Sequence, residues 1–156
     1  MMKKNKTVCF YDLETTGLSS AFDQVLRFAA IRTDFQLNEL DRLEIKVKLR
    51  HDIIPNAGAL ITNRLSLRDI EHGDAEYEAL RKIHGYLNTP DTVSAGYNSL
   101  SFDNDFLRYN FYRNLLDSYT HEWKDGCSMI DIMPITAYYY FFKPGAIKWP
   151  NEKKVL

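Results

Sequence analysis

The chain has 156 residues, with 20 lysines and arginines against 21 aspartates and glutamates, and is 45% hydrophobic and 26% charged. A net charge of -1 excludes a uniformly basic nucleic-acid coat but not a small local groove, and the apolar content excludes a disordered chain. A chain of this length buries roughly 70% of its extended surface, which suits one sizeable core and leaves two full domains cramped.

Lys6 to Asp12 is apolar, with Val8, Phe10 and Tyr11, and it stops at Thr15-Thr16-Gly17. That pattern predicts a strand running into a turn. Val25 to Thr33 reads as a second strand, whose run Phe28-Ala29-Ala30-Ile31 is too continuous for a half-wet one. Arg42 to Arg50 reads as a third, because Leu43, Ile45, Val47 and Leu49 alternate with Glu44, Lys46, Lys48 and Arg50. Pro55 to Gly58 is a turn region, with a short helix over Gly58 to Thr62, and Ser66 with Asp69 has capping-box spacing. From Asp74 to Leu87, the positions Tyr77, Leu80, Ile83, His84 and Leu87 recur at steps of three and four. They predict a helix packed on one side, ended by Asn88-Thr89-Pro90. Thr92 to Gly96 is a short strand and Phe102 to Leu116 is helical.

Pro134 parses the last third. With Cys127 to Ile130 as a strand and Asp131 as the cap of the next helix, Pro134 falls at the third helical position, where its missing N–H costs nothing. The run from Tyr138 to Phe142 is so aromatic that both faces of that helix should find cover. These elements make an α/β domain with a mixed central sheet. Cys9 and Cys127 are expected as reduced, buried thiols. The N-terminus meets Asp12 before any long apolar run, and no 18-residue apolar stretch exists, so a cytoplasmic protein without a membrane partner is expected.

The strongest chemical signal is Asp12-Leu13-Glu14. Residues two apart on a strand share a face, so the carboxylates converge while Leu13 points into the core. At about 4 Å their repulsion reaches roughly 4 kcal/mol at an effective dielectric of 20. They face open water, or one takes a proton, or a divalent cation holds them. Asp103, near the start of the following helix, either joins them or caps that helix, and spacing alone leaves both open.

Several phrases carry a resemblance. FYDLETTG at 10–17 resembles the first motif of the DEDD superfamily of 3′ to 5′ exonucleases, of the type that uses a histidine. FAAIRTD at 28–34, GALIT at 58–62, GYN at 96–98, FD at 102–103, FYRN at 111–114 and WP at 149–150 are similar to the bacterial exodeoxyribonuclease I family in particular. The likeness covers almost the whole chain. It implies an RNase H-like fold, with a mixed central sheet flanked by helices, and a site with two magnesium ions for which manganese can substitute. Asp12, Glu14 and Asp103 would be both the catalytic and the metal-holding acids, with Asp12 on both ions and Glu14 on the one that orients the attacking water. Thr15, Thr16 and Gly17 would meet the terminal nucleotide. Thr16 stands where that family usually has an aromatic, and matches wider proofreading relatives instead.

Two further family residues, a histidine and an aspartate four residues beyond it, do not map onto this sequence. Residues 1–156 therefore read as an incomplete exonuclease domain, truncated at the C-terminus before that His/Asp motif and its helix. His121 with Asp125 has similar spacing but precedes the last strand, His84 belongs to an apolar helix face, and Asp131 is better explained as a cap. Arg108, Tyr109, Phe111, Tyr112 and Arg113 interleave charge with aromatic rings, as single-strand binders do. Within that set Arg113, and separately Asn98 near the acids, are the substrate-binding candidates. The implied activity is hydrolysis of single-stranded DNA from its 3′ end to nucleoside monophosphates. The implied partners are that 3′ end and the single-stranded-DNA-binding protein. The alternative is a catalytically incomplete fragment with residual metal or nucleic-acid binding.

Overall fold

In a computed structural model, which describes residues 6–143 and 145–146, the first strand runs past Asp12. Trp149 and Pro150 lie outside the described residues. Strand β1 (Thr7–Thr15) buries Cys9, Tyr11, Leu13 and Thr15 on one face and turns Phe10, Asp12 and Glu14 to the other. Its length comes from antiparallel pairing with β2 (Val25–Thr33), which continues through a bulge to Thr15 opposite Val25. Strand β3 (Glu39–Lys46) begins earlier than its alternating pattern because Glu39 pairs with Thr33. It ends earlier too, since Val47 bridges instead to Asp74.

Asn56 caps α1 (Ala57–Asn63), its side chain accepting from the Gly58 and Ala59 amides. The Ser66/Asp69 capping box starts α2 (Leu67–Glu71) as expected. In α3 (Glu76–Leu87) the buried stripe is Ala79, Leu80, Ile83 and Leu87. Tyr77, expected on that stripe, is half exposed, because it sits roughly 120° around the helix from Ile83. Strand β4 (Thr92–Gly96) then runs parallel to β1, followed by α4 (Asp103–Arg113). The short α5 (Thr120–Trp123) has no periodic signal; Asp117 initiates it by accepting from the Tyr119 and Thr120 amides. Strand β5 (Ser128–Asp131) pairs parallel with β4 and leads into α6 (Ile132–Phe142), with Asp131 as its cap and Pro134 at the third position.

The sheet order is β3-β2-β1-β4-β5. One sheet face, carrying Tyr11, Leu13, Phe28 and Ile45, packs on Leu80, Ile83, Phe106 and Phe111 from α3 and α4 to make the core. Cys9 and Cys127 are free and buried. None of the residues of α6 is buried, and Tyr138, Phe141 and Phe142 are largely exposed, so among the described residues its aromatic run does not find the cover expected on both faces. The helix meets the sheet chiefly at β4. No helix among the described residues is long and apolar enough to cross a membrane.

Candidate active site

The acidic site forms where one sheet neighbour stops. Strand β4 pairs with β1 only from Thr7 to Phe10, so β1 from Asp12 to Thr15 has no strand on that edge. Gly96 lets the chain turn away there. A Cβ on it would come within 2.6 Å of the Ser99 Cβ and 3.3 Å of the Tyr11 carbonyl. Asn98 adopts a left-handed conformation (φ 59°), and one 3-10 turn, Ser99–Ser101, brings the chain back so that Asp103 opens α4. The Asp103 carboxyl, only 5% exposed, interacts with its own amide and with that of Leu13. The Leu13 amide also acts on Asp12.

Asp12 is the centre of this group. Burial is the first cause raising all three carboxyls, and it takes Asp103 up to about 7. The Asp12 charge is the second cause for both Glu14 and Asp103. Arg27, opposite Glu14 on β2, opposes the rise at Asp12 and Glu14, but its guanidinium is already paired with Glu44 at 2.9 Å. The face therefore carries negative charge that nearby cations do not fully balance.

The donor set is hard oxygen. Among the described residues, no group of three or more His, Cys, Asp or Glu side chains is arranged to hold one ion. The Asp12 charge acts on each of the other two acids. Carboxylate oxygens of this kind suit a hard divalent cation whose remaining positions are filled by water and phosphate oxygens.

Asp131 is a strut. Its Oδ1 accepts from the Met133 amide at 2.9 Å and from the Asn98 amide at 2.9 Å, and Oδ2 from the Leu100 amide at 3.2 Å. It thus caps α6 and fixes the turn that delivers Asp103. Neither inner histidine reaches the trio. His121 is fully buried, with Nε2 3.2 Å from Asn104 Oδ1, and both it and His84 pack edge-on against Phe111.

A cleft of about 880 Å³ is lined by Leu13, Thr15 and Phe102, chain neighbours of the three acids, and by Gly17, Leu18, Ile54 and Asn56. The threonine hydroxyls are used internally: Thr15 Oγ1 donates to Gly17 O at 2.7 Å, and Thr16 Oγ1 to Asp23 Oδ1 at 2.8 Å. Asn63 Nδ2 donates to Thr15 O at 3.0 Å and the Asn56 amide to Thr16 O at 2.7 Å, which pins the chain to α1. Gly17 is required by a close approach, since a Cβ there would lie 2.5 Å from Asp23 Oδ2.

The structure thus brings Asp12, Glu14 and Asp103 together and sets Thr15 and Gly17 on the cleft. Thr16 is buried beneath it. Asn98 is half-buried in the turn ahead of Asp103, held by its amide. Arg113 points away from the acids, onto the backbone of Ala21 and Asp23. Arg108 is engaged by Glu122 and Asp105, and Phe111 is core. Leu18, Ile54, Asn56 and Phe102 were not foreseen. Leu18 and Ile54 have a weak sequence signal, as apolar residues inside turn segments, and both are almost fully exposed.

The exonuclease family model of the RNase T type matches residues 9–145. Exodeoxyribonuclease I of Buchnera aphidicola subsp. Acyrthosiphon pisum is 35% identical over 153 residues, covering 97% of this chain and 37% of that protein. The Escherichia coli K12 enzyme of the same name is 33% identical over 152 residues, covering 96% of this chain and 32% of its own. The chain therefore spans about a third of the length of these curated relatives. A product-bound structure of exonuclease I matches with a TM-score of 0.91 at 31% identity, covering 96% of this chain and 35% of that one. E. coli exonuclease I in complex with a 5cy-dA13 oligonucleotide matches at 0.89 and 31% identity (95% and 33% covered), and an ExoI/SSB-Ct complex at 0.90 and 31% (96% and 33%).

Proposed function

The chain belongs to the exonuclease family, and from that premise we propose that it carries the acidic centre of a 3′ to 5′ exonuclease acting on single-stranded DNA. The supporting observation is the Asp12-centred group of three raised carboxyls, whose chain neighbours Leu13, Thr15 and Phe102 line the 880 Å³ cleft. Asp12, Glu14 and Asp103 would hold divalent metal, magnesium or manganese. When bound, two such ions stabilise negative charge on the phosphodiester oxygens and on the leaving 3′ oxygen, and orient water. The chain's own residues supply the frame. Asp131 fixes the turn that delivers Asp103, and the cleft admits a terminal nucleotide between Leu18 and Ile54. Apolar walls grip any base without reading it, which suits stepwise release of nucleoside monophosphates from unpaired DNA.

The partners on this reading are the DNA 3′ end and, through the ExoI/SSB-Ct likeness, the single-stranded-DNA-binding protein, in the cytoplasm. A second reading is favoured by one observation: no histidine is among the groups that act on the three carboxyls, so the family's water-activating base is not beside them. On that reading the chain binds metal and DNA without turnover.

The test is release of label from 3′-labelled single-stranded DNA with magnesium, beside Asp12→Ala. Magnesium-dependent release that the substitution abolishes supports the first reading. No release, with manganese binding that depends on Asp12, supports the second. Release unaffected by the substitution, or metal binding indifferent to it, refutes both.

A further inference from the structure

Arginines in nucleic-acid-binding segments usually meet phosphates, yet Arg113 is turned inward. Nη1 donates to Ala21 O at 2.5 Å, and Nη2 donates to Asp23 O at 2.7 Å and to Asn110 Oδ1 at 2.9 Å. Ala21 and Asp23 belong to the loop between β1 and β2, residues 17–23, which forms one wall of the cleft. The loop has almost no core of its own, since Leu18 and Phe22 are 86% and 82% exposed. Its internal order comes from Asp23, which accepts from Thr16 Oγ1 at 2.8 Å and from the Ser19 amide at 2.9 Å. Arg113 anchors that unit from outside, holding two of its carbonyls to the last turn of α4. The first residue of the same helix is Asp103. One helix therefore sets both the buried acid and the facing wall.

We propose that Arg113 is a positioning residue. It holds the 17–23 loop so that Gly17 and Leu18 face the terminal nucleotide, and it makes no phosphate contact itself. This rests on the exonuclease reading above and deepens it. A planar guanidinium satisfies three acceptors at once, and an ammonium on a flexible stem does not reproduce that fork, so lysine keeps the charge but loses the clamp.

The experiment compares the full chain with Arg113→Gln and Arg113→Lys by amide hydrogen exchange, without DNA or metal. Affinity for a fluorescent oligothymidylate is then measured at two salt concentrations. The loop amides of residues 17–23 should exchange about tenfold faster in both variants while those of α3 keep their rates. Oligonucleotide affinity should fall equally in both variants, with the salt slope unchanged. Where the natural chain cleaves, KM should rise with kcat retained. Unchanged loop exchange overturns the proposal. So does a salt slope reduced by about one together with rescue by lysine, which is the signature of a phosphate contact. Should both variants fail to fold, Asn110→Ala removes one of the three acceptors and should raise loop exchange less; no change there also overturns the clamp. A natural chain that neither binds nor cleaves DNA defeats the exonuclease reading, and the exchange result still decides the clamp.

Discussion

Asp103→Asn should stabilise this protein. The Asp103 carboxyl lies at 5% exposure and is pushed up to about 7, first by burial and then by the Asp12 charge. In the unfolded chain it ionises near 3.9. Between roughly pH 4 and 7 the folded protein keeps a proton there that the unfolded chain has lost, so stability falls as pH rises through that window. Below the window both states are protonated; above it both are ionised and the penalty is complete. The gap corresponds to roughly 4 kcal/mol, of which partial solvent screening leaves about 2–4 kcal/mol. Asparagine keeps the shape and removes the charge. At pH 8 in EDTA the variant should melt about 5–15 °C above the natural chain, and near pH 4 the two should coincide. Magnesium should raise the melting temperature of the natural chain more than that of the variant, which keeps Asp12 and Glu14 but has lost one carboxylate. Circular dichroism melts from pH 4 to 9 read all of this. A variant that melts at or below the natural chain at pH 8, or a gap that does not change with pH, refutes the account of the site as an electrostatically strained pocket.

Gly17→Ala should cost about 1–3 kcal/mol in urea unfolding, because the new methyl displaces the Asp23 carboxylate from Thr16 and Ser19. Asp131→Ala leaves three backbone amides without their acceptor and should cost about 2–4 kcal/mol, measured the same way. Burial lowers His121 to about 4 from its usual 6.5, so its contribution is intact above pH 6.5 and is lost as pH falls towards 4. About 3 kcal/mol disappears across that range, and His121→Gln should flatten the acid limb of a stability profile. Exposed Phe141 and Phe142 should drive self-association in sedimentation, and aspartate at both positions should return a monomer.

The sequence pattern was most legible where burial follows a period. Strands Val25–Thr33 and Thr92–Gly96 have the bounds their apolar runs suggest, and Asp131 with Pro134 located the start of α6 correctly. Ends set by pairing were less visible. Nothing local to Glu39 announces a strand, because its partner Thr33 recruits it. The opposing faces of Leu13 and its acidic neighbours followed from strand geometry alone. Their link to Asp103 is long-range, made by a glycine turn and a shared amide, and spacing could not choose between an acid and a cap. Arg113 shows the same limit in reverse. Its neighbours in sequence suggested a phosphate ligand, while its neighbours in space are carbonyls ninety residues earlier. The aromatic helix was expected to need cover on both faces and to be left under-covered without the family's final helix, and composition cannot say what covers it.

Asp131 ties that helix to the acids. The carboxylate that starts α6 also grips the amides of Asn98 and Leu100, two residues of the hinge that hands Asp103 to β1. A partner that settled on the exposed rings of Tyr138, Phe141 and Phe142 and rolled α6 by a few degrees would pull on this tether. The chain's stickiest surface is thereby geared to its most charged one.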